Sequence, residues 1–398
     1  MKPAFSITVV GAGMTGLLLA ALLSRDGRLA VRVIDAGPPP VYDPEAPVGL
    51  RVSALAPASV GLLECVGAWS GIIGRRACGY ERMRVWDASA APDGPATVRF
   101  DADEFALAEL GFIVENELVR HALCESLAGS PVVLEFDAPL SRVERGSGVW
   151  RYDTGNGSAD AELLIGADGG RSIVREAAGI ESFQKAYEQH ALVTHVEPER
   201  PHAATARQRF LPSGPLGLLP LDDGRISIVW STTPEEAGSA LDLSDADLGR
   251  RLGEVSDHVL GELRASGARG VFPLRAAHAE HYVEAGLALI GDAAHSVHPL
   301  AGQGANLGFA DAAELAGVIL AALDAGEYPA DRPVLRRYER ARRGANAGMM
   351  NLLTGLNRLF AADSALVGEF RKTGMLLFNR SGPIREKAVD IALGVSRR

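Results

Sequence analysis

The residues able to do chemistry in this 398-residue chain gather around glycines rather than around nucleophiles or metal ligands. Gly11, Gly13 and Gly16, with Met14 and Thr15 between them, make a Gly-x-Gly-x-x-Gly turn that links an apolar strand ending at Val10 to an apolar run from Leu17 to Leu23. In that setting the first glycine permits a tight turn. The second lets backbone approach a pyrophosphate, and the third lets the helix pack on the strand. The start of the helix then offers free N–H groups and a favourable dipole to phosphate. Val31 to Asp35 reads as a second strand ending in a carboxylate, about 20 residues on, where an acid binds ribose hydroxyls. The triad alone could be an ordinary turn; strand, turn, helix, strand and acid together specify an adenine dinucleotide.

Two more glycine segments follow short apolar strands. Gly166-Ala-Asp168-Gly-Gly-Arg-Ser-Ile-Val-Arg175 places a carboxylate and two arginines at a sharp turn. Gly291-Asp292 begins a segment that runs through Pro299, Gly302, Gly304, Ala305, Asn306 and Leu307 into a long apolar helix. Asp292 can accept from ribitol or ribose hydroxyls, and the N–H groups around Gly302 to Asn306 form a helix start that favours negative charge. NAD alone does not need three separated contacts; a flavin dinucleotide is long enough to use them. His295 and His298 lie beside this loop without a third ligand at metal spacing, so they read as backbone-bonding histidines, and no metal site is expected.

Composition narrows the clients. The net charge of −10 and the absence of a long basic run disfavour nucleic acid. Cys65, Cys78 and Cys124 are odd in number and lack Cys-x-x-Cys spacing, which suits buried apolar thiols in a reducing, cytoplasmic setting. The start of the chain has the glycines of a nucleotide loop rather than a cleavage site, and no stretch of eighteen consecutive apolar residues occurs to span a bilayer.

The periodicity predicts helices over 53–66, 115–127, 243–265 and 303–323, and a mostly helical tail from Val334 with breaks near Gly374 and Gly382-Pro383. Strands are expected at 82–87, 97–101, 132–136, 149–153, 191–196, 205–211, 216–221 and 225–232, with a hairpin at Gly155-Asn-Gly. The fold class is α/β: a Rossmann-like dinucleotide-binding domain with an inserted, mainly antiparallel β-sheet substrate domain and a helical C-terminal region. The expected division is 1–75, 102–180 and 270–330 for the cofactor domain, 76–101 and 181–269 for the substrate domain, and 331–398 for the helical region. Tyr187, Gln189 and His190 open the inserted sheet and are candidates to face substrate. The run Arg336 to Arg343 reads as a solvated helix face. Apolar residues from Leu352 to Phe378 read as core packing, with a lid, a partner surface or a peripheral membrane contact as alternatives.

The three glycine motifs, in this order and spacing, resemble those of the single-component FAD-dependent aromatic hydroxylases with the para-hydroxybenzoate hydroxylase fold. Arg51-Val-Ser-Ala-Leu, Tyr80-x-Arg-Met-x-Val-Trp86, Gly111-Phe-Ile-Val-Glu-Asn116, Leu219-Pro-Leu and Asn379-x-x-Gly-Pro further resemble the ubiquinone-biosynthesis hydroxylases that act on polyprenylated phenols. The resemblance implies that Gly11, Gly13 and Gly16 hold the FAD pyrophosphate and that Asp35, where most relatives have Glu, meets the adenosine ribose. It implies further that Arg51 and Arg120 face FAD and that Asp292 meets the ribitol. Pro299, Gly302, Gly304, Asn306 and Leu307 would lie against the isoalloxazine, and Asp168 and Arg175 would serve both FAD and a transient NADH or NADPH. By the same implication NAD(P)H reduces FAD, O2 adds at flavin C4a, and the resulting hydroperoxide hydroxylates an electron-rich ring, so no side chain is assigned as catalyst.

The implied activity is that of an FAD-dependent monooxygenase, a flavoprotein oxidoreductase acting on a polyprenylated phenol in ubiquinone biosynthesis. A hydroxylase of a soluble or secondary-metabolite aromatic, a non-hydroxylating flavin reductase and a flavin-binding scaffold remain as alternatives. Peripheral membrane association, contact with a biosynthetic complex and oligomeric state stay open.

Overall fold

A computed structural model describes residues 5–297, 302–361 and 365–394. One part of the fold is organised by a six-stranded sheet in the order Val283–Glu284, Leu287–Leu289, Leu163–Gly166, Phe5–Val10, Leu29–Ile34, Val133–Glu135. All neighbours are parallel except the edge pair 283–289. The Phe5–Val10 and Leu163–Gly166 strands are almost wholly buried, which is why they read as near-continuous apolar runs rather than alternating ones. The Met14–Leu23 helix packs against the Asn116–Leu127 and Gln303–Asp324 helices.

The glycine motifs are in backbone contact with one another. Gly11 has φ +108°, and a Cβ there would lie 2.3 Å from the Ala167 carbonyl oxygen. A Cβ on Gly16 would lie 2.0 Å from the Gly11 oxygen. The Ala167 N–H donates to Val10 O and the Ile290 N–H to Gly166 O, so the ladder carries each motif to the same end of the sheet.

The second sheet has eight strands, in the order His295–Ser296, Leu263–Ala279, Ser182–Pro198, Ile226–Thr232, Gly214–Pro220, Thr205–Leu211, Arg82–Asp87, Val98–Asp101. It is antiparallel except where Thr205–Leu211 meets Arg82–Asp87. One face, with Trp86, Leu192, Leu216, Leu218, Ile226, Ile228 and Trp230, packs with Ala240, Leu248 and Leu252 of two covering helices. Those helices, Pro234–Asp242 and Asp245–Val255, start where Thr233 Oγ1 and Ser244 Oγ accept the N–H groups of Glu236 and Asp247. At the other face Val98 and Phe210 pack with Leu353, Phe360 and Met375 of the C-terminal helices Arg332–Ala361 and Ala365–Arg380. A last helix, Gly382–Leu393, follows.

Several expectations change. The stretch 53–66 is a strand, Val52–Leu55, and then a helix, Pro57–Cys65; Pro57 holds the residue before it extended and opens the helix at its N1/N2 position. The helix expected to reach 265 stops at Val255, and the chain continues as the 17-residue strand Leu263–Ala279. Its small, charged sequence carries little strand propensity, and pairing along the Ser182–Pro198 strand supplies the order instead. Sheet membership also puts Ala77–Tyr80 with Val52–Leu55 and Gly111–Glu115, and it carries the antiparallel sheet past the expected limit at 269. Gly374 lies inside the Ala365–Arg380 helix rather than breaking it. Cys78 is buried and Cys124 half-buried, but Cys65 is exposed. By length and apolarity the segment Gly304–Asp324 is able to cross a bilayer; here it packs against the Met14–Leu23 and Arg332–Ala361 helices.

Gly16→Ala forces a methyl onto a carbonyl oxygen that the sheet holds in place. The expected loss is about 3 kcal/mol, read as a lower urea midpoint with unchanged m-value.

Candidate cofactor and active site

The three glycine motifs line one cleft of ≈ 620 Å³, within the range of roughly 300–1,000 Å³ usual for ligand sites. Gly11, Gly13, Met14, Thr15, Asp35, Arg51, Arg120, Asp168, Gly291, Asp292, Gly304 and Ala305 all reach it. Two helix starts face it without a side-chain cap: Gly13 precedes the Met14–Leu23 helix and Gly302 the Gln303–Asp324 helix. A Cβ on Gly13 would meet nothing within 4 Å, so the backbone there is open to a close-lying ligand. Uncapped N–H groups, an open glycine and the cations Arg51, Arg120 and Arg171 suit a pyrophosphate. These residues fit FAD.

The carboxylates are arranged differently. Desolvation by the packed cleft floor raises the Asp292 carboxyl above its ordinary pKa, against the pull of His295 and Arg51, while the side chain itself stays exposed in the cleft. Burial also raises Asp168, although its Oδ2 accepts from the N–H groups of Ile173 and Val174 at 2.7 and 3.2 Å. Its Oδ1 is buried with no partner among the described residues. Both are therefore suited to exchange hydrogen bonds with hydroxyls. Asp35 Oδ2 accepts from Ala12 N at 2.6 Å and Oδ1 from Gly37 N at 2.8 Å, so it shapes the first loop as well as lining the cleft.

Other expected contacts sit behind the cleft wall. Gly16 is spent on packing. Arg175 is buried and donates to Ala293 O and Gly170 O, tying the second motif to the third. Asn306 Oδ1 accepts from Ala56 N and Ser59 Oγ, and its Nδ2 donates to Ala54 O and Gly302 O; the amide braces the Val52–Leu55 strand against the Gln303–Asp324 helix. Leu307 is buried, and Gly302, at φ +62°, packs on Ala54. Pro299 and His298 lie outside the described residues. Tyr187 and Gln189 meet the long C-terminal helix, Tyr187 through Thr354 Oγ1 at 2.9 Å and Gln189 through Asn357 at 3.2 Å. His190 sits in register between Thr232 and Pro273.

One group has no signal in the motif reading. Asp311, fully buried on the Gln303–Asp324 helix, accepts from Gly291 N and His295 Nε2 on one oxygen, and from Arg342 Nε and Asn346 Nδ2 on the other. His295 thus binds a carboxylate at 2.5 Å rather than backbone, because the helix brings Asp311 under the loop. An Asp within an apolar helical run is the available clue. Burial would raise the Asp311 carboxyl, but His295 and Arg342 outweigh it and hold it below the usual range.

Asp311→Ala takes the carboxylate from His295 Nε2 and leaves Arg342 only Leu307 O and Asn346 Oδ1 as acceptors, and is expected to cost about 3–5 kcal/mol in urea unfolding. The lowered carboxyl contributes stability above the unfolded value of about 3.9 and loses it as pH falls through the folded value. Acid unfolding below about pH 4 is accordingly shallower in Asp311→Asn.

Comparison with known proteins agrees with this site. The FAD binding domain family matches residues 4–352. The chain is 35% identical over 391 residues to 3-demethoxyubiquinol 3-hydroxylase of Escherichia coli (strain K12), covering 98% of each. It is 36% identical to ubiquinone hydroxylase UbiL of Rhodospirillum rubrum, covering 98% of this chain and 89% of that protein. It is 33% identical to the mitochondrial ubiquinone biosynthesis monooxygenase COQ6 of Homo sapiens, covering 98% and 92%. Among solved structures, p-nitrophenol 4-monooxygenase PnpA from Pseudomonas putida superposes with a TM-score of 0.78 at 19% identity, covering all of both chains. A variant of HpxO from Klebsiella pneumoniae complexed with FAD gives 0.73 at 19% identity over 98% of each. These structures speak to the fold. With a cleft built for a flavin dinucleotide and full-length relatives that are hydroxylases, the chain belongs to the FAD binding domain family, among the FAD-dependent aromatic monooxygenases of the ubiquinone-hydroxylase group.

Proposed function

We propose that this enzyme hydroxylates the ring of a polyprenylated phenol on the route to ubiquinone. The observation that carries the reading is the full-length likeness to the Escherichia coli hydroxylase, 98% of each chain. When bound, FAD supplies the redox chemistry, in which NAD(P)H and O2 convert a ring C–H to C–OH with NAD(P)+ and water as the other products. The chain's own work is positional. The N–H groups after Gly13, with Arg51 and Arg120, hold the pyrophosphate and ribitol end, while Asp292 and Asp168 bind hydroxyls.

The ring and its tail need an apolar wall that excludes water. The cluster of Val98, Phe210, Leu353, Phe360 and Met375 supplies one, and Val297, at the edge of the cofactor loop, packs against it. Phe210 and Phe360 stack at 3.9 Å. The same helices support a peripheral contact with a membrane holding such a substrate: Leu352, Leu359 and Leu377 are exposed at 52%, 38% and 63%, with Arg358 exposed beside Leu359.

The purified protein is expected to carry FAD and to oxidise NAD(P)H faster when a prenylphenol is added, with oxygen consumed and a hydroxylated product formed. Cells lacking it should accumulate an under-hydroxylated prenylphenol; an unchanged quinone pool would overturn the assignment. Arg120→Ala and Asp292→Ala should each weaken FAD binding by about 10-fold or more, read by titrating apoprotein with FAD. Sedimentation with anionic vesicles should fall in a Leu352→Ser, Leu359→Ser, Leu377→Ser variant.

A further inference from the structure

Three buried polar atoms without a partner among the described residues fall in one row of the eight-stranded sheet: Ser227 Oγ, His195 Nδ1 and Ser266 Oγ. Ser227 and Ser266 are the direct cross-strand neighbours of His195, one on each side. Paired residues share a face of a sheet. Their chain neighbours Ile226, Ile228, Val196 and Ala265 pack in the opposite core, so all three side chains point to the face away from the covering helices. His195 is 2% exposed and Ser227 0%. Buried polar atoms in folded proteins nearly always find a partner, and where protein supplies none, water does. The charges nearest His195 are Asp223 and Arg225, and they bind each other at 2.6 Å. The ligand for this row is therefore neutral. The outer strands are two spacings apart, about 9.6 Å, more than one water can bridge.

His195 also reaches the cofactor half. Its Nε2 lies 3.2 Å from Gly49 O, while Gly49 N donates to Glu115 Oε2 at 2.7 Å. Gly49 is thus held through both its N–H and its carbonyl two residues before Arg51, which enters the cofactor cleft. We propose that the Ser227–His195–Ser266 row binds at least two buried waters and acts as a latch, in which the water-held imidazole fixes the Gly49 backbone and so positions Arg51 toward the cofactor. His195 is a positioning residue, and the proposal rests on the reading that Arg51 contacts FAD.

The test is a double-mutant cycle on FAD affinity, with apoprotein titrated by quenching of flavin fluorescence, together with a crystal structure of the holoenzyme that shows ordered water. His195→Leu should weaken FAD by about 5–10-fold, and His195→Gln, whose amide replaces Nε2 as donor to Gly49, should recover affinity to within about 2-fold. In an Arg51→Ala background His195→Leu should cost less than about 2-fold. If Arg51→Ala weakens FAD but His195→Leu costs the same in both backgrounds, the latch falls and the cofactor role of Arg51 stands. If Arg51→Ala leaves FAD affinity unchanged, both fall. Ser227→Ala should lower the melting temperature by a few degrees through loss of a water-bound hydroxyl; an unchanged or raised value, or density with no water in the row, overturns the water site.

Discussion

Everything at the cofactor end depends on a backbone contact that only residues without side chains permit. The Gly16 Cα lies against the Gly11 carbonyl, and Gly11 lies against the carbonyl of Ala167 in the second motif. The third motif joins through Thr15, whose Oγ1 lies 2.5 Å from where a Cβ on Gly308 would be and 3.2 Å from that of Gly291. Segments far apart in the chain are thereby brought to van der Waals contact at one end of a parallel sheet. The two uncapped helix starts and the cleft carboxylates follow from that convergence, since each lies close in the chain to a contact glycine.

Charge in the cleft is divided rather than of one sign. The molecule carries −10 overall, and the cleft sets three arginines and two helix starts beside the carboxylates of Asp35, Glu117, Asp168 and Asp292, of which Asp168 and Asp292 are raised above their ordinary pKa by desolvation. A flavin dinucleotide asks for this division, with cations and N–H groups for the phosphates and hydrogen-bonding carboxyls for the hydroxyls. Asp311 then links that end to the antiparallel sheet. Through Arg342 and Asn346 it holds the first half of the Arg332–Ala361 helix, while Thr354, Asn357 and Phe360 of the same helix hold the antiparallel sheet. One helix spans both sheets.

How much of this could be read in the residues depends on what each feature requires. Gly11, Gly13 and Gly16 are legible because a backbone contact tolerates one residue type, while Pro57 confines the expected 53–66 helix to Pro57–Cys65 and leaves Val52–Leu55 as a strand. The Leu263–Ala279 strand is illegible because its order comes from pairing on its neighbours and not from its own side chains. Asn306, placed against the isoalloxazine by the resemblance, also spends its side-chain amide on Ala54, Ala56, Ser59 and Gly302, a bracing role that position in the motif does not announce. Asp311 leaves only the clue of an acid in an apolar helical run, because its four partners come from two other stretches of chain, around Gly291 and around Arg342.

The same reasoning explains why the cofactor is readable and the substrate is not. A pyrophosphate is recognised by backbone and charge, which confine the residue types at fixed spacing. An aromatic ring with an apolar tail is recognised by shape, and any combination of Val, Leu, Phe and Met with the right volume will do. Tyr187, Gln189 and His190 draw notice as polar residues at the start of the sheet, yet Tyr187 and Gln189 are bonded to the Arg332–Ala361 helix and His190 lies within the ladder. Tyr187 and Gln189 secure that helix over the sheet. In the proposed function the ring meets the apolar cluster they help to close, and on that reading a change in substrate preference comes from repacking Phe210, Leu353 and Phe360 rather than from exchanging a polar group.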